Sequence, residues 1–294
     1  MGQGKAAPTL TRYLGLIGHP VGHSVSPAMQ NEAFRRQGMN CHYGAFSVEP
    51  DRLKEALDGV RALGFLGLNV TIPHKEAVIP YLDEVAPMAL QIGAVNTIVN
   101  RGGRLMGYNT DGWGFIASLE EAGVRVTGRS AVVLGAGGAA RAIAFYLAKA
   151  GVGRLTISNR NPERAERLAQ DVRAAMPSVT IEAVEALSTE ERTALIEAGI
   201  AINCTPQGMQ PQWTDATPVR EISLLRQDAV VYDTVYRPLT TRFLQEARLR
   251  GLKTVSGLGM LVHQGACAWE YWFGRRGPVT IMYQAAAAAL EGEA

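Results

Sequence analysis

Val132-Val-Leu-Gly135-Ala-Gly137-Gly-Ala-Ala140 is the stretch from which the fold can be read. A short apolar run, Ser130 to Leu134, reads as a buried strand, and Ala139 to Ala150 reads as a helix, so a G-x-G-x-x-A turn joins strand to helix. In that setting each small residue has a task. Gly135 permits the tight turn, Gly137 lets backbone approach a pyrophosphate, Ala140 allows close helix packing, and the helix N-terminus offers unpaired N–H groups to phosphate. Gly135, Ala136, Gly137, Gly138 and Ala139 are therefore candidate dinucleotide ligands. A strand at Leu155 to Ser158 follows. At its end an NAD-binding chain usually carries a carboxylate for the ribose 2′-hydroxyl, but here Asn159-Arg160-Asn161 stands, with Arg164 one turn on. Cations at that point favour a 2′-phosphate, so Asn159, Arg160 and Arg164 point to NADP. A helix from Pro162 to Met176 and strands near Ile200 to Cys204 and Val230 to Tyr232 complete a Rossmann-type unit.

Upstream the β-α-β rhythm repeats: strand Tyr13 to Ile17, a helix from about Ser26, strand Tyr43 to Val48, helix Asp51 to Leu63, strand Gly67 to Thr71. Ser26-Pro27 reads as a cap with proline in the first helical turn. Arg101-Gly-Gly-Arg104, between Asn96 to Val99 and Leu105 to Gly107, signals one antiparallel hairpin. Beyond a helix at Gly112 to Ala122 the nucleotide unit begins. After Gly257 the chain turns apolar and helical, with Trp269, Trp272 and Phe273 spaced to face a core, and it ends in an Ala-rich helix assigned back to the first unit. The expected fold class is α/β with two domains: a mostly parallel substrate-binding domain, 1–110 with 258–294, and a Rossmann-type NADP domain, 111–257. The chain crosses between them near 109–112 and 255–260, the expected hinges.

A length of 294 residues suits two such domains, and 47% hydrophobic with 19% charged residues is a soluble globular balance. With 29 basic and 27 acidic residues there is no basic block for nucleic acid. No apolar run spans a membrane, Met1 to Thr11 lacks a signal-peptide core and reads as a loose tail, and Ala6 breaks a myristoylation pattern. Cys41, Cys204 and Cys267 are odd in number and scattered, which indicates a reducing compartment, the cytoplasm, and no structural metal. They are read as packing residues.

In the first unit, His23-Ser24-Val25-Ser26-Pro27 puts two hydroxyls beside a helix start, equally suited to an anion site or to simple capping. In Asn69-Val-Thr71-Ile-Pro-His-Lys75, Asn69 and Thr71 share one face at strand spacing, with Lys75 just past the proline. Alone, either segment could be structural. Together with Gly93-Ala-Val-Asn96-Thr97, Asn109-Thr-Asp111-Gly112, the glycine loop, Asn203-Cys-Thr-Pro-Gln-Gly208-Met209, Asp233-Thr-Val-Tyr236 and Gly257-Leu-Gly-Met260-Leu-Val-His-Gln264-Gly265, they resemble the shikimate dehydrogenase family from Gly15 to about residue 275.

The resemblance implies reversible reduction of 3-dehydroshikimate to shikimate by NADPH, on the biosynthetic route to chorismate and the aromatic amino acids. It implies that Ser24 and Ser26 bind the substrate carboxylate, that Asn69, Thr71, Asn96, Asp111, Tyr236 and Gln264 surround the ring and its hydroxyls, and that Lys75 and Asp111 are the catalytic pair. It also implies that backbone near Thr234 and Gly257 lies by the nicotinamide, and that the chain works as a monomer or a homodimer. The chemistry suits the pair, because hydride delivery to a ketone builds charge on oxygen that must be stabilised and protonated. His23 and His74 are rivals as acid and base but form no triad or metal motif, and His74 should face away from Lys75 if the segment is extended. A quinate-using NAD enzyme, an aminoshikimate-type enzyme and a non-catalytic sensor are the alternatives on the same scaffold.

Overall fold

The computed structural model describes residues 10–292, so most of the expected N-terminal tail lies outside the described residues. The first six strands are β1 (Arg12–Gly18), β2 (Cys41–Ser47), β3 (Gly67–Val70), β4 (Glu84–Val85), β5 (Thr97–Arg101) and β6 (Arg104–Tyr108). They form one sheet in the order β2-β1-β3-β5-β6-β4. β1 pairs in parallel with β2 and β3, whereas the β5–β6 hairpin runs antiparallel, as Gly102 and Gly103 at positive φ require of a tight turn. Helices α1 (Ser26–Arg36), α2 (Leu53–Ala62), α3 (His74–Ala77) and α4 (Pro87–Ile92) connect these strands. Leu53, Leu57 and Val60 of α2 cover one face of the sheet, packing with Leu68, Val70 and Ile98.

After α5 (Asp111–Glu121) come β7 (Ser130–Leu134), α6 (Gly138–Lys149), β8 (Arg154–Asn159), α7 (Pro162–Ala175), β9 (Thr180–Glu185), α8 (Thr189–Glu197), β10 (Ile200–Asn203), β11 (Val230–Asp233), α9 (Arg242–Leu249) and β12 (Lys253–Val255). The second sheet is wholly parallel, in the order β12-β11-β10-β7-β8-β9. This is the doubly wound order, whose switch point falls between β7 and β10, so ligands are expected where those two strands end. Helices α10 (Gly257–Phe273) and α11 (Val279–Glu291) close the described chain.

Both crossings between the sheets end in helices that lie side by side. A Cβ on Gly114 of α5 would sit 2.7 Å from the Gln264 nitrogen, and one on Gly259 of α10 would sit 2.9 Å from the Ser118 Cβ, so glycine is what lets the two backbones touch. α5 also faces the second sheet: Phe115 packs edge-on to Tyr232 at 4.8 Å, and Ser118 shares a 2.8 Å hydrogen bond with its hydroxyl. α10 faces the first sheet. Trp269 is fully buried, stacks on Phe34 at 5.1 Å and donates to Gln30 Oε1, while Trp272 donates to the Ile98 carbonyl at 3.0 Å. Met282 and Ala286 of α11 join the same cluster.

Several elements differ from their sequence reading. Ser26 does not cap α1: Val25 occupies the N-cap, no side chain caps, and Ser26 is already helical with its N–H on Ser24 Oγ at 3.3 Å. The segment carrying His74 and Lys75 is a helical turn, not extended chain, because Thr71 accepts the His74 N–H at 2.9 Å. β4, α4, β9, α8, α9 and β12 escaped the sequence reading. β9 is an edge strand whose Thr180, Glu182 and Glu185 are exposed, so it carries only a weak apolar signal.

Candidate active site

The polar cluster between the two sheets is built from the ends of β3, β5 and β6 and the starts of α3 and α5. Lys75 leaves the first turn of α3, and its backbone carbonyl is fixed by the Val95 N–H at 2.8 Å. Its Nζ donates to Asp111 Oδ2 at 2.6 Å, with the side chains 14% and 6% exposed. Asp111 opens α5, where the positive end of the helix dipole favours a carboxylate. Its N–H donates to Asn109 Oδ1 at 3.1 Å, and Asn109 in turn donates to the Ala94 carbonyl.

Asn96 is the hub. Its Nδ2 donates to Asp111 Oδ1 at 2.8 Å and to Thr110 Oγ1 at 2.9 Å, and it lies 3.4 Å from Gln264 Oε1. Its Oδ1 accepts the Thr110 N–H at 2.8 Å. One amide thereby holds the far oxygen of the carboxylate that meets Lys75. Asn69 stands behind it, donating to the Asn96 carbonyl and Thr97 Oγ1 and accepting from the Tyr43 hydroxyl at 2.7 Å. This leaves Asn69 a single free lone pair for any ligand.

Ser24 and Ser26 occupy the turn entering α1, and the Tyr236 hydroxyl bonds the Ser24 side chain. Thr71 follows β3 directly, just outside the strand, and packs its methyl against Gly18. Burial pushes both the Tyr236 and Tyr43 phenols up, so each stays a neutral donor or acceptor. His23 contributes its carbonyl, bonded by Arg237 Nη1 at 2.8 Å. His74 is buried and turned from Lys75, its Nε2 on the Val48 carbonyl at 2.7 Å.

Facing this cluster is the glycine loop. Gly135 has φ +116, and a Cβ there would meet the Cys204 carbonyl at 3.1 Å, so only glycine fits. A Cβ on Gly137 would point into open space, and α6 has no side-chain cap, which leaves its first N–H groups directed outward. A Cβ on Gly138 would sit 3.2 Å from Lys75 Cβ, so the loop abuts the lysine stem. Ala136 and Ala139 flank these glycines. At the end of β8, Asn159 donates to the Asn161 carbonyl and Asn161 caps α7 by accepting the Arg164 N–H at 3.0 Å. Arg160 and Arg164 are both exposed, and no carboxylate replaces Asn159. These features fit a dinucleotide with a 2′-phosphate. Gly257 presses against the Thr234 carbonyl where no Cβ could fit, so these two positions meet just beyond the ends of β11 and β12.

Sequence reasoning gave no role to a buried network at the ends of β10 and β11. Asp233, fully buried, accepts from Thr241 Oγ1 at 2.6 Å, Asn203 Nδ2 at 2.9 Å and the Val235 N–H at 3.0 Å. Burial pushes its carboxyl up to about 6. It ties the turn after β10 to the turn after β11, a pairing across 30 residues that no local pattern reveals. Arg141 was missed for the same reason: from α6 it bonds Asp171 at 2.6 Å and the Ile92 carbonyl that ends α4. The cysteine thiols are raised by burial, most strongly Cys204. Among the described residues no cluster of His, Cys, Asp or Glu could hold a metal, and no helix is long and apolar enough to cross a membrane.

The fold and this cluster together define a two-domain α/β oxidoreductase. Family models match along the chain: the shikimate dehydrogenase substrate binding domain over 16–98, shikimate / quinate 5-dehydrogenase over 118–206, and the shikimate 5′-dehydrogenase C-terminal domain over 257–287. The shikimate dehydrogenase (NADP(+)) of Symbiobacterium thermophilum is 66% identical over 282 residues, 96% of each chain. That of Moorella thermoacetica is 51% identical over 92% of this chain and 91% of its own. The structure of Thermus thermophilus shikimate 5-dehydrogenase with NADP(H) and shikimate superposes with a TM-score of 0.85 at 40% identity, covering 95% of this chain and all of that one. The chain belongs to the shikimate dehydrogenase family.

Proposed function

We propose that the chain is an NADP-dependent shikimate dehydrogenase, interconverting 3-dehydroshikimate and shikimate for aromatic amino-acid biosynthesis. The observation that carries this reading is the Lys75–Asp111 ion pair, 2.6 Å long, set against the glycine loop of a doubly wound sheet. The nicotinamide cofactor, when bound, supplies the hydride. Lys75 Nζ would give a proton to the alkoxide oxygen formed on reduction of the ketone, and in the reverse direction would take that proton back. An ammonium has three N–H bonds, so one can remain on Asp111 while another points at the substrate oxygen. Asp111, held by Asn96, keeps Nζ in place.

Ser24 and Ser26, with Tyr236 closing over Ser24, would hold the carboxylate, and Asn69, Thr71, Asn96 and Gln264 the ring hydroxyls. Gly135 to Ala139 would cradle the pyrophosphate, Asn159, Arg160 and Arg164 the adenosine 2′-phosphate, and Thr234 and Gly257 would border the nicotinamide. In this reading residues 1–110 with 258–294 form the substrate domain and 111–257 the nucleotide domain, with closure about 109–112 and 255–260. The absence of any cysteine pairing pattern supports the cytoplasm, where the chain works as a monomer or homodimer.

The test is initial-rate NAD(P)H formation with shikimate and quinate crossed against NADP and NAD. Dominance of shikimate with NADP is expected. Preference for NAD would refute the roles of Arg160 and Arg164, preference for quinate would refute the biosynthetic assignment, and no rate with any pair would refute the enzyme.

A further inference from the structure

Glu76 directly follows Lys75 in α3, and its Oε1 lies 3.7 Å from Nη2 of Arg164 near the start of α7. The contact joins the element that carries the proton donor to the helix that follows the candidate 2′-phosphate turn. The Arg164 backbone is fixed in the first turn of α7, its N–H donating to the capping Asn161 side chain at 3.0 Å, so the root of the side chain is set while the guanidinium stays free to change partner. Arg160, four residues earlier, makes no ion pair among the described residues. Of the two arginines, one is open to an incoming anion and the other already faces a carboxylate.

We propose that Glu76 is a specificity-determining residue that sets the strength of the preference for a 2′-phosphorylated cofactor. This rests on the reading of Arg164 as a 2′-phosphate ligand. A phosphate monoester near charge −2 offers three acceptor oxygens and outcompetes a carboxylate for a guanidinium. To bind Arg164 it must displace Glu76, and the displaced carboxylate then stands close to the phosphate and repels it. A cofactor with a bare 2′-hydroxyl meets neither cost, so Glu76 acts on one class of nucleotide and not the other. With side chains 52% and 49% exposed the pair is water-screened, which limits the effect to about two- to fivefold in affinity.

The test is calorimetric titration of adenosine 2′,5′-bisphosphate and of 5′-AMP into wild type, Glu76→Gln, Arg164→Ala and the double variant at low ionic strength. Glu76→Gln is expected to tighten the bisphosphate about two- to fivefold and to leave 5′-AMP unchanged, an effect that shrinks with added salt. In the Arg164→Ala background the same substitution should have a smaller effect, since only the repulsion between carboxylate and phosphate remains. The proposal is overturned if Glu76→Gln moves both ligands equally, moves neither, weakens the bisphosphate, or keeps its full effect without Arg164. Should Arg164→Ala alone leave the ratio of the two affinities untouched, the role of Arg164 itself is wrong and the proposal falls with it.

Discussion

Gly138→Ala should separate stability from catalysis. The residue opens α6 with an ordinary helical backbone, so alanine meets no conformational penalty and could add up to about 1 kcal/mol of helix stability. Its new methyl, however, would sit 3.2 Å from Cβ and 3.3 Å from Cδ of Lys75 and 3.7 Å from Cβ of Ala94. The crowded atoms belong to the lysine stem near its root, which must swing as a whole by a few tenths of an ångström. Nζ moves with the stem, away from the 2.6 Å contact with Asp111. Misplacing a reacting group by 1 Å can cost about a hundredfold, so a shift of this size should lower kcat about three- to tenfold. Thermal melting, NADP affinity and steady-state rates on one preparation check this: an unchanged or higher Tm with reduced kcat is expected. Wild-type kcat, or a fall in activity fully accounted for by unfolding, would refute the placement of Lys75 against the loop.

Three further outcomes follow from the same geometry. Lys75→Met should reduce kcat by about a hundredfold or more with NADP binding within about twofold of wild type, since Lys75 acts on the transition state; turnover near wild type would remove it from the mechanism. Gly67→Ala should cost several kcal/mol in denaturant unfolding, on the order of 2–4, because a Cβ there collides with the Ile98 carbonyl and the Trp272 indole nitrogen. Asp233 has a folded value near 6 against 3.8 unfolded, so its contribution is fully present below about 3.8 and is lost as pH rises through 6. The stability of wild type relative to Asp233→Asn should therefore fall between pH 4 and pH 7, by at most about 3 kcal/mol; a difference that is flat or rises with pH would show that the carboxyl is not raised.

How much of this was legible in the chain depends on the range of the interactions. Gly135, Gly137 and Ala140 announce their roles within nine residues, since a tight turn, a bare approach to phosphate and a close helix contact are local demands on side-chain size. The Asn-Arg-Asn turn after β8 is local too, as is the alternation of strands and helices that gives the fold class. Ser26 was misread because a hydroxyl before a proline satisfies the capping pattern whether or not it caps, and only the backbone shows Val25 in that place. His74 is aimed by a hydrogen bond to Val48, 26 residues away.

Lys75 and Asp111 stand out in the sequence only as members of separate motifs 36 residues apart, and their pairing needs β3, β5 and α5 to converge. The same is true of Asn96 as the hub, of Asp233 joining two turns, and of Glu76 reaching Arg164 from the other sheet. The sequence by itself determined most of the elements, the dinucleotide turn and the choice of small or charged residues there, because steric and capping preferences act over a few bonds. The tertiary structure alone decided which side chains meet and which carboxylate faces which cation, because those contacts exist only once two sheets have buried their apolar faces and brought distant segments within a few ångströms.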